Sequence, residues 1–65
     1  MDEIDIWRTA KILIDAHGED ASTHAALRAD HALEDGNMDA VAVWKRVMKA
    51  VEALQRQKPD TASLH

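Results

Sequence analysis

Two isolated glycines, Gly18 and Gly36, cut this 65-residue chain into three stretches of helix length, and each stretch carries apolar side chains at helical spacing. Glycine has no Cβ and reaches the left-handed conformation that commonly follows the last turn of a helix. The pattern therefore predicts helices over about 2–17, 20–35 and 38–57. Over the first, Ile6, Ala10, Leu13 and His17 follow steps of four, three and four, with Trp7 and Ile14 widening the stripe. Asp2, Glu3 and Asp5 stand where the positive end of that helix dipole favours acids, and His17 stands in the last turn, where it favours a base. Over the second, Asp20 reads as the N-cap, Ala21, Ala25, Ala29, Ala32 and Leu33 continue the period, and Gly36-Asn37 stops it. Over the third, Ala40, Trp44, Val47, Val51 and Leu54 form the stripe, flanked by Val41 and Met48. Lys45, Lys49, Glu52 and Arg56 share another, solvated face. Lys58-Pro59 ends this helix.

No alternating strand pattern competes, so the expected fold is all-α: a compact three-helix bundle, one helical domain over 1–58, with a flexible, disordered tail over 59–65. A chain this short has material for one core, and a domain of about 60 residues buries only about 60% of its unfolded surface. Apolar residues make up 46% and charged residues 31% of the chain, which argues for folding over disorder. Many of those apolar residues are alanines, which favour helix but bury little area. The core should then rest on Ile4, Ile6, Trp7, Ile12, Leu13, Ile14, Leu27, Leu33, Met38, Val41, Val43, Trp44, Val47, Met48, Val51 and Leu54. The alanine stripe of the second helix suggests that it is clasped between the other two, with Leu27 and Leu33 supplying its volume.

Function classes fall away in turn. With no cysteine there is no disulfide, thiolate metal site or cysteine nucleophile. No apolar run approaches the ~18 residues of a membrane span, and Met1-Asp2-Glu3 lacks the basic start of a secretory signal. No membrane partner and a cytoplasmic address are expected. Gly18 and Gly36 stand alone, so there is no phosphate-cradling loop. Before the tail the hydroxyls are Thr9, Ser22 and Thr23, and Ser22-Thr23 falls in a first helical turn, where hydroxyls commonly satisfy backbone N–H groups. Glu34, Asp35 and Asp39 lack the alternation of a calcium loop. His17, His24 and His31 recur every seventh residue, but two turns of helix put His24 and His31 roughly 10 Å apart, too far to share one zinc ion. Single-turn contacts of His24 with Asp20 or Arg28, and of His31 with Asp35, are expected instead. No catalytic residue, cofactor or metal ligand is assigned.

Charge divides the chain at Asp39. Residues 1–39 hold ten acids and three bases, net −7; residues 40–58 hold five bases and one acid, net +4; Asp60 brings the total to −4. A basic third helix beside acidic neighbours accounts for this. The alternative is a nucleic-acid-associated regulator reading through Lys45, Arg46, Lys49, Arg56 and Lys58. The acids around Arg28 argue against a helix-turn-helix reader on the second helix, and nucleic acid is not the expected partner. Trp7 and Trp44, the only aromatic residues, sit on or beside apolar stripes; tryptophan and methionine are also enriched in interface cores. The expected function is a non-enzymatic helical module for protein–protein interaction. Trp7, Trp44 and Met48 would provide contact and Lys45 and Lys49 steering, toward a protein partner or a second copy in a homodimer.

Two resemblances accompany this reading. The spacing Trp7, Ala10, Leu13-Ile14, His17-Gly18, Ala26, Arg28-Ala29-Asp30, Gly36, Asp39, Trp44, Val47, Ala50-Val51 and Leu54 resembles a group of short, uncharacterised bacterial helical proteins. That resemblance implies a small bacterial cytoplasmic protein and carries over no site residue. Ala25-Ala26, Ala29, Gly36-Asn37, Ala40 and Trp44 resemble one tetratricopeptide hairpin over about 22–51, with Ala40 and Trp44 about one place out of register and no second repeat to stack on. It implies hairpin packing and a peptide-binding groove.

Overall fold

Helical periodicity is realised along nearly all of the chain that the computed structural model describes, residues 2–57. Lys58-Pro59 and the tail expected over 59–65 lie outside the described residues. The elements are α1 (Glu3–His17), a 3-10 turn (Gly18–Asp20), α2 (Ala21–Glu34) and α3 (Met38–Arg56). Among the described residues the fold is all-helical and compact, but it is not the expected three-helix bundle. α1, the 3-10 turn and α2 follow one another without an intervening coil residue. They form one long helix bent at Gly18, and α3 is the second helix.

The bend comes from the way Gly18 redirects the hydrogen-bond ladder instead of breaking it. Its φ of 59° and ψ of −124° turn the chain sharply, while its N–H still donates to the Ile14 carbonyl. The Ala21 N–H then donates back to the Gly18 carbonyl, closing the 3-10 turn. Asp20 accordingly does not act as the expected side-chain N-cap: it lies at φ −87°, ψ 4°, inside a turn that is already helical, and makes no side-chain cap hydrogen bond. From α3, Gln55 Nε2 donates to the Gly18 carbonyl at 3.0 Å, fastening the bend to the far end of the second helix.

The second junction is a true stop. Gly36 has φ 74°. The Asn37 N–H reaches the Ala32 carbonyl at 2.9 Å and the Gly36 N–H reaches that of Leu33 at 3.0 Å, the paired bonds of a Schellman ending. Asn37 then serves the next helix, its Oδ1 accepting from the Ala40 N–H at 3.1 Å. A short turn of this kind makes α2 and α3 an antiparallel hairpin.

Ile6, Ala10, Ala21, Ala25, Val47, Ala50 and Val51 form the core, with Leu13, Ile14, Val43, Trp44, Met48 and Leu54 half-buried against it. α3 packs on both arms of the bent helix more extensively than the arms pack on each other. The clasped helix is therefore α3, not α2. Fully buried Ala21 and Ala25 do permit the close approach expected of small residues, but Leu27 (48% exposed) and Leu33 (57%) point outward and supply no core volume. Ile4, Trp7, Ile12 and Met38, also expected inside, are exposed. The reason on α1 is angular: at about 100° per residue, Ile4 and Ile12 each lie about 160° from Ile6 and Ala10, the positions that α1 buries. The largest fully buried side chains are Val47 and Val51.

Candidate docking groove

Trp7 follows Ile6 by one residue, so it stands about 100° round α1 from the buried stripe, at its margin. The indole is 42% exposed. Beside it α3 runs in the same direction as α1: Glu3, Ile6 and Trp7 meet Arg46, Lys49 and Ala50 around an open cavity of about 320 Å³. Ile6 and Ala50, each about nine-tenths or more buried, form an apolar floor, and Trp7 forms a wall. Arg46 and Lys49, three residues apart and both exposed, stand on the α3 side. From Ala40 to Val51, α3 carries Lys45, Arg46 and Lys49 and no acid. Glu3 is the acid on the lining.

The structure brings two of the five expected contact residues, Trp7 and Lys49, into this groove. Trp44 lies on the other flank of α3, half-buried against the core, with Arg28 Cζ 5.9 Å from its ring centroid in cation–π geometry. Met48 is also half-buried against the core. Lys45 is exposed but does not line the cavity. Glu3, Ile6 and Ala50 were not singled out as contact residues, and Arg46 only as a contact for nucleic acid. The signal was present in Trp7 at the edge of its stripe and in the Arg46–Lys49 spacing, but which flank of α3 would face Trp7 was not readable.

His17 and His24 meet across the bend with ring centroids 3.6 Å apart and 17° between planes. This replaces the expected pairing of His24 with Asp20 or Arg28. Imidazole lone pairs lie in the ring plane, so nearly parallel rings do not converge on one ion. Among the described residues no group of three or more His, Cys, Asp or Glu side chains is placed to hold a metal. The Thr9 hydroxyl donates to the Asp5 carbonyl one turn back at 2.8 Å. Among the described residues no polar or charged side chain is buried.

Two further cavities lie toward the bend. One, of about 390 Å³, is bordered by Ile14, Gly18, Glu19 and Gln55; the other, of about 310 Å³, by Lys11, Ile14, Asp15, Leu54 and Gln57. Neither has an aromatic wall or paired cations beside an apolar floor. Among the described residues no helix is long and apolar enough to cross a membrane. No protein family matches the chain, and neither the curated proteins nor the solved structures compared with it yield a match.

Proposed function

We propose that the protein is a non-enzymatic helical docking module that binds another protein through the groove between α1 and α3. The observation that carries this reading is Trp7, 42% exposed above the Ile6–Ala50 floor and flanked by Arg46 and Lys49. An exposed indole over apolar surface gains free energy when a partner removes it from water, about 25 cal/mol for each Å² of apolar area covered. Tryptophan and arginine are the residues that most often dominate such contacts. Catalysis has less support, because general acid–base and nucleophilic chemistry require a positioned base in a water-excluding pocket. Thr9 is engaged with its own helix, and the paired histidines lie on the outer side of the bend.

The test is photo-crosslinking in living cells, with a benzophenone amino acid placed at position 7, 49 or 30 of the full chain. Positions 7 and 49 should give discrete protein adducts and position 30, on the outer face of α2, should give none. Adducts from position 30 alone, or none from 7 and 49, would remove the groove from consideration.

A further inference from the structure

We infer that the occupant of the groove is an acidic amphipathic helix of a partner protein, which sets a bulky apolar side chain on the Ile6–Ala50 floor and carboxylates against Arg46 and Lys49. The inference rests on the docking reading above and specifies its partner. Two helices running side by side leave a furrow that a third helix fills with its own ridge of side chains, the helix-in-groove mode of recognition. A volume of about 320 Å³ is at the lower end for a small-molecule pocket and suits an anchoring side chain.

Charge decides the rest. Arg46 and Lys49 line one side, and α3 has no acid from Ala40 to Val51. Exposed Asp2, Glu3 and Asp5 gather at the start of α1. A partner helix is thereby oriented, with its acids along the α3 side and neutral or basic residues toward the first turn of α1. A nucleic acid fits less well: its phosphates would meet those same three acids, the whole chain carries net −4, and an apolar floor offers phosphate nothing. A second copy also fits less well. The chain's own acidic apolar face, exposed Leu27 with Asp30 and Glu34 on α2, lies on the far flank of α3 from the groove, so copies would join head to tail without closing.

The experiment uses the full chain with Trp44→Phe, which leaves Trp7 as the only emitter. It is titrated with an acetylated helical peptide of about 15 residues made of Glu, Ala and Leu, with Leu on one stripe, and with the same peptide bearing Lys for Glu. The Glu peptide should shift Trp7 emission to the blue, bind more weakly as salt rises from about 50 to about 500 mM, and lose about tenfold or more in affinity in the R46E/K49E variant. That variant, checked for unchanged helicity by circular dichroism, should gain affinity for the Lys peptide. Equal binding of both peptides, indifference to charge reversal, no binding of the Glu peptide, or tighter binding of a DNA or RNA oligonucleotide than of the Glu peptide would overturn the inference. If adducts form at positions 7 and 49 while the Glu peptide fails, the partner chemistry is wrong and the docking reading stands. If the adducts fail too, both fall.

Discussion

Residue by residue, the contrast between Leu27 and Val47 shows how little side-chain type alone says about burial here. Both lie in amphipathic helices, and Leu27 is the larger; yet Val47 is fully buried between the arms of the bent helix and Leu27 is 48% exposed. Val47→Ala removes two methyl groups from the core, which should destabilise the fold by about 2 kcal/mol from lost transfer energy and the cavity left behind. Leu27→Ala should change stability by no more than about 0.5 kcal/mol, as for other surface substitutions. Urea unfolding of the two variants, followed by circular dichroism, checks the pair; a Leu27→Ala loss as large as that of Val47→Ala would place Leu27 in the core after all. The tryptophans divide in the same manner. Trp7 was legible as a surface anchor because it sits at the edge of a stripe, whereas Trp44, with an equal claim from sequence, packs half-buried on the core beside Arg28.

Among the elements, the two glycines had looked equivalent and proved to do different work. Gly36 takes part in a Schellman ending and hands over to a capped α3, as its neighbour Asn37 suggested it might end a helix. Gly18 has positive φ too, but with ψ at −124° it lies outside the left-handed helical region, and it bends a helix that continues. A Cβ added at either glycine meets no atom within 4 Å, so the cost of substitution resides in the backbone. Gly18→Ala should therefore cost on the order of 1–3 kcal/mol, while Gly36→Asn should cost less, because asparagine tolerates positive φ. Thermal melts of the two variants measure this difference, and a Gly18→Ala variant as stable as the parent would show that the bend does not need glycine. The Gln55 bond to the Gly18 carbonyl, 37 residues away in sequence, had no sequence signature.

Taken as a whole, the molecule has its basic helix held between two arms of an acidic one, with the groove on one flank of α3 and the acid-bearing outer face of α2 beyond the other. Self-pairing in this arrangement has no closed solution that joins groove to acidic face. The molar mass should therefore stay at 7.2 kDa in size-exclusion chromatography with light scattering over a hundredfold concentration range. A mass that doubles, or grows with concentration, would make a second copy the occupant of the groove. The sequence by itself determined where helix forms and where it ends, because periodicity, glycine conformation and capping act within a few residues along the chain. It also determined the segregation of acids and bases between the two halves. Only the tertiary structure decided that α1 and α2 are one bent helix, that α3 and not α2 is clasped, and that Trp7 with Arg46 and Lys49 borders an open groove. Those outcomes depend on the direction in which Gly18 turns the chain, and one backbone angle there selects which flank of each stripe a distant helix covers.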